Sequence, residues 1–131
     1  MIKRATDYLV EQFKELGFKV MRYDSYSSKS VYLKLDDGVV GTLRISDHKG
    51  KKHLRYKYNL TKGSYRYKRD DKGVVRYYFP MQDINLLVEK VVYDRKVLID
   101  KYGQDQYAKF MVNNRNKGRG SKGFWTQAKY V

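Results

Sequence analysis

No cysteine occurs in the 131 residues, which excludes disulfides and thiolate metal sites and fits a reducing, cytoplasmic setting. There is one proline, Pro80, and there are two histidines, His48 and His53. No run approaches the roughly 18 apolar residues that a membrane span requires. The segment from Met1 to Asp7 also lacks a long apolar stretch, so a secretory signal is not expected. Signatures of ATP binding, dinucleotide binding, zinc binding or Ser/His/Asp hydrolysis are absent, and no cofactor is expected. Acidic residues are scarce as well, 14 against 29 Lys and Arg, leaving a net charge of +15.

The placement of that charge is uneven. Residues 1–48 hold 8 bases and 7 acids, and residues 77–112 hold 5 of each. Residues 49–76 hold 11 bases against 2 acids, and residues 113–131 hold 5 bases and no acid. Charge confined to one β-rich region and one tail is the footprint of a polyanion partner rather than an evenly solvated surface. The chain is long enough for one core, expected over residues 1–112, with 113–131 as a basic flexible arm. From Asn113 to Gly123 there is no apolar residue to offset the entropy of ordering.

Periodicity gives an α+β fold. Ala5, Leu9, Phe13 and Leu16 make the apolar stripe of a helix over residues 3–16, stopped by Gly17. A strand over Phe18–Tyr23 follows. Val31, Leu33 and Leu35 alternate with polar neighbours, and Asp36-Asp37-Gly38 is a hairpin turn into Val39–Ser46. In the next strand Leu54, Tyr56, Tyr58 and Leu60 point one way and His53, Arg55, Lys57 and Asn59 the other. Ser64–Arg69 and Val74–Phe79 resume the alternation, so a twisted antiparallel meander of five to six strands is predicted. Pro80 ends the last strand, and Asp83 opens a helix whose stripe runs from Ile84 to Ile99, broken only by Arg95. A short third helix is predicted over Gln104–Val112, so one or two C-terminal helices pack on the sheet.

The candidate phosphate contacts follow from the outward positions and the tail. They are Lys51, Lys52, Arg55, Lys57, Arg66, Lys68, Arg69, Lys72 and Arg76, then Arg115, Lys117, Arg119 and Lys122. Asp47 beside His48 has the residue types of a general base and its orienting group, which would suit a small metal-dependent nuclease. The sequence Ser46–Gly50 has turn composition, however, and strand neighbours point to opposite faces. Asp36-Asp37 and Asp70-Asp71 likewise sit beside turn glycines, and turn geometry accounts for both pairs. No metal site is expected, and binding is expected rather than catalysis.

The segments Ser27-Ser28-Lys29-Ser30-Val31-Tyr32-Leu33-Lys34-Leu35 and Leu43-Arg44-Ile45-Ser46-Asp47-His48 resemble a strand–turn–strand element. That element is found in small phage and mobile-element proteins of Gram-positive bacteria, some of them type II-A anti-CRISPR proteins that block Cas9. The resemblance implies a phage-encoded inhibitor acting in an infected host cytoplasm, with Cas9 or its guide RNA as partner. Many such inhibitors are acidic and imitate DNA, which a chain at +15 cannot do. The resemblance therefore implies contact with guide RNA, alone or together with acidic patches of the effector. The alternatives are the nuclease and a phage DNA- or RNA-binding regulator unconnected with Cas9.

Overall fold

A computed structural model describes residues 2–25, 30–48, 51–59, 74–118 and 124–131, with the backbone alone described at 47–48, 51–53, 58–59, 74–75, 117–118, 124 and 126. Helix α1 spans Ile2–Glu15 and buries Thr6, Leu9 and Phe13, while Glu11 and Glu15 stay exposed. Its end is a Schellman motif. The Phe18 N–H donates to the Phe13 carbonyl at 2.9 Å and the Gly17 N–H to the Lys14 carbonyl at 3.0 Å. Gly17 supplies the required φ of 83°, and the Phe13 and Phe18 rings meet edge-on at 5.2 Å.

Among the described residues six strands follow in one sheet: β1 (Val20–Asp24), β2 (Ser30–Leu35), β3 (Gly41–His48), β4 (Lys51–Asn59), β5 (Val74–Pro80) and β6 (Lys129–Tyr130). Their order is β5-β4-β3-β2-β1-β6, with every neighbouring pair antiparallel. The meander expected from the short connections is therefore present, and β2 and β3 form the strand–turn–strand pair. The sixth strand is β6, on the outer side of β1; the expected strand over Ser64–Arg69 lies outside the described residues. Gly41 is required where β3 begins, because its φ is 146° and a Cβ there would stand 2.2 Å from the Lys57 carbonyl oxygen.

Helix α2 spans Ile84–Tyr102 and α3 spans Gln104–Gly118. The core lies between one sheet face and the helices. Val31, Leu33 and Leu35 of β2, Leu43 and Ile45 of β3, and Leu54 and Tyr56 of β4 meet Leu9 and Phe13 of α1 and Leu87, Val91 and Leu98 of α2. Each such side chain contributes about 1.5–3 kcal/mol when fully buried. No helix among the described residues is long and apolar enough to cross a membrane.

The basic segment after Val112 departs from the expected arm. Residues 113–118 are the last turns of α3, and Lys129–Tyr130 pair with β1 through Met21↔Tyr130 and Arg22↔Lys129. The physical reason is docking elsewhere in the same elements. Phe110 packs edge-on to Tyr102 at 5.1 Å, Met111 lies against the core, and Arg115 reaches Asp37.

Candidate nucleic-acid interface

The face of the sheet opposite the helices is set by the strand register. Tyr23 pairs with Tyr32, Tyr32 with Arg44, Arg44 with Arg55, and Arg55 with Tyr78, giving one row of outward side chains across five strands. The adjacent row runs Met21, Lys34, Thr42, Lys57 and Arg76. Among the described residues, five cations thus stand in two neighbouring rows, and no Asp or Glu occupies either row. Arg44 faces Arg55 across one pair of strands and Lys57 faces Arg76 across the next. Like charges directly opposite one another are destabilising.

Burial sharpens that cost. Arg55 is half-buried, and its Nε is fully buried without a hydrogen-bond partner among the described residues. Burial, followed by repulsion from Arg44 and Arg76, pushes the Arg55 pKa below its ordinary value. Burial also lowers the Lys34 pKa, against a smaller opposing pull from Asp37. An anion delivered to this face offsets desolvation and mutual repulsion together.

Aromatic rings flank the cations. Arg44 lies over the Tyr32 ring at 5.7 Å and donates through Nε to Ser30 Oγ at 3.3 Å. Trp125, carried in by the segment that leads to β6, meets Tyr32 edge-on at 6.4 Å, and Lys34 Nζ stands 4.6 Å over the indole. Tyr23 lies 6.3 Å from Tyr32, while Tyr78 on the far side is 61% exposed.

Three of the residues singled out from the sequence, Arg55, Lys57 and Arg76, fall on this face. Lys51 and Lys52 are on β4 opposite His48 and Asp47, and Lys117 is on α3, with only their backbones described. Arg66, Lys68, Arg69, Lys72, Arg119 and Lys122 lie outside the described residues. Arg115 does not belong to the face. Its Nη2 donates to Asp37 Oδ2 at 3.3 Å, which raises its pKa, so the cation is committed inside the molecule. Lys34, Arg44, Tyr23, Tyr32 and Tyr78 were not singled out, whereas Phe124-Trp125 is expected from the sequence to dock back on the domain or insert into a partner, and Trp125 docks on this face. The alternation of Val31–Leu35 already set Tyr32 and Lys34 outward, but Arg44 sits in a segment of nearly balanced charge and Trp125 arrives from far along the chain.

The two turn aspartates have a second role. Asp36 and Asp37 have left-handed backbones, φ 50° and 53°, and occupy a 3-10 turn within the longer β2–β3 connection. Their carboxylates are buried acceptors. Asp36 accepts the Lys19 N–H at 2.9 Å and the Tyr107 hydroxyl, with Arg95 Nη1 3.8 Å away, and Asp37 accepts from Arg115 and from the Tyr130 hydroxyl. The turn joins α2, α3 and β6 to the sheet. Beneath the sheet, Asp94 is 0% exposed and takes hydrogen bonds from the Tyr56 hydroxyl at 2.9 Å and Lys90 Nζ at 2.7 Å.

Asp47 and His48 are residues of β3, paired with Lys52 and Lys51, not members of the turn itself. The turn composition of Ser46–Gly50 begins three residues too early there, since Ser46, Asp47 and His48 are still in β3. Among the described residues no group of three or more His, Cys, Asp or Glu side chains is placed to hold a metal ion. Compared with known proteins, the chain matches no family model, no curated protein and no solved structure.

Proposed function

We propose that this protein is a nucleic-acid-binding protein without catalytic activity of its own, which holds phosphates on the open face of its sheet. The observation that carries the reading is the pairing of cation with cation across the strands, Arg44 with Arg55 and Lys57 with Arg76, around a buried guanidinium N–H that has no acceptor among the described residues. Such an arrangement is costly in the free protein and favourable against a polyanion. The neighbouring rings extend the chemistry from phosphate to base, since aromatic and cationic side chains together are the means by which sheets hold nucleic acids.

The finer target is a guide-loaded Cas9, proposed from the resemblance of residues 27–35 and 43–48 to the phage and mobile-element proteins. A basic sheet face suits the RNA of that effector better than its DNA-binding channel, which is itself positively charged. The test is binding of short RNA and of Cas9 with and without its guide, over a range of salt. Retention that depends on the guide, and weakens by about 0.7 log units per log salt for each phosphate held, supports the reading. Equal binding to guide-free Cas9 with no salt dependence removes the guide as the target. Salt-sensitive RNA binding with no retention of either Cas9 form leaves a nucleic-acid-binding protein of another pathway.

A further inference from the structure

We propose that the ligand of this face is a single-stranded nucleic acid, with unpaired bases stacked on the aromatic flanks and the phosphates over the arginines between them. The inference rests on the polyanion reading above and narrows it to one class of strand. Its basis is the order of side chains along one row. Reading across the sheet, Tyr23 and Tyr32 come first, then Arg44 and Arg55, then Tyr78. Neighbouring strands are about 4.8 Å apart, so the three steps from Tyr32 to Tyr78 span roughly 14 Å. A strand crossing that distance lays phosphates over the two guanidinium groups and brings a base to the rings at either end.

A duplex cannot use that layout. Its bases are stacked on one another inside the helix and it presents the protein with backbone, so the rings would face phosphate and sugar. Splayed bases of a single strand each offer a π-face, and stacking on an aromatic side chain is tolerant of sequence. The cations are already seated at the rings. Arg44 over Tyr32 and Lys34 over Trp125 place a phosphate donor beside each stacking surface, at 5.7 and 4.6 Å from the ring centres. Arg55 stands in the middle of the row, and moving its guanidinium onto a phosphate gives the buried Nε–H an acceptor that it lacks among the described residues.

The experiment is titration of the intact protein with three probes at one ionic strength: a short single-stranded oligouridylate, an RNA duplex of the same length, and inorganic polyphosphate. Trp125 is the one tryptophan of the chain, so its emission reports directly on the face. Expected are tighter binding of the single strand than of either other probe, quenching of Trp125 by that strand alone, and a loss of about fivefold or more in affinity for Tyr78→Ala. Tyr78 is exposed, so its truncation does not disturb the core, and the salt slope should be unchanged because no charge is removed. Equal affinity for duplex or polyphosphate, with Tyr78→Ala neutral and Trp125 unquenched, overturns the single-strand inference and leaves the polyanion reading standing. Absence of binding to all three at low salt overturns both.

Discussion

The hydroxyl of Tyr107 donates to the carboxylate of Asp36, joining α3 to the β2–β3 turn across 71 positions of sequence. The same carboxylate accepts the backbone N–H of Lys19, so one buried side chain fixes the entrance to β1 and the position of a helix. Tyr107→Phe leaves Asp36 with that one short-range donor and removes the other. A loss of about 1–2 kcal/mol in urea denaturation is expected, with an unchanged denaturant slope. Asp36→Ala should cost more, because it strands both donors. Equal, negligible effects would show that the pair does not hold α3.

Alkaline pH tests the second acceptor of the turn. Burial first, then the hydrogen bond to Asp37, raises the Tyr130 phenol above its ordinary 10.0. The folded protein therefore keeps the proton over a window in which the unfolded chain has lost it. Stability from Tyr130 is fully present below pH 10 and is lost as pH rises through the higher folded value. Denaturation at stepped alkaline pH should show wild type declining more steeply than Tyr130→Phe in that window. Parallel curves would sever Tyr130 from Asp37.

Arg55 should oppose stability while serving binding. Arg55→Leu removes a buried donor with no acceptor among the described residues, and the repulsion with Arg44, so the variant should melt at the same temperature or higher, a gain of up to about 1 kcal/mol. Its affinity for RNA should fall and its salt slope shrink by about 0.7. A destabilised variant with unchanged binding would mean that Arg55 belongs to the scaffold.

Gly41→Ala places a methyl group 2.2 Å from the Lys57 carbonyl at a φ of 146°. The backbone must move at the β3–β4 pairing, at a cost of about 2 kcal/mol or more. Thermal melting measures it, and a neutral substitution would show that the strands are free to part there.

Much of the fold was legible because it depends on neighbours in sequence. The stripe Leu9–Phe13 with Gly17, the alternation of Val31–Leu35 and of Leu54–Tyr56, and the stop at Pro80 are local signals, and each element appears within a few residues of its expected bounds. The acids were less legible. Asp36, Asp37 and Asp94 are polar residues whose burial draws on donors far along the chain: Tyr56 lies 38 positions from Asp94, whose other donor Lys90 is one helical turn away, and Tyr130 lies 93 from Asp37. The last turns of α3 were hidden for the same reason, since Asn113–Gly118 carries no apolar residue and its anchor is Arg115 on Asp37. On the face opposite the helices, the outward direction of Arg55, Lys57 and Arg76 was legible from alternation. The cation–cation pairing was not, because it requires knowing which strand lies next to which, and Trp125 reaches the face through the pairing of β6.

The pairing of β1 with β6 has a consequence for how the sheet assembles. Strands β1 to β3 meet partners only a short distance along the chain, and such local contacts form early and at small entropic cost. Met21 and Tyr130 are roughly a hundred residues apart, so this contact closes a far larger loop and forms late. Throughout synthesis of the intervening chain the outer side of β1 is an open template for another strand. The two residues of β6, Lys129 and Tyr130, then cap it, too short to template in turn. Nascent chains halted before Lys129 carry an uncapped edge, and intermolecular strand pairing at β1 is their expected route to aggregation.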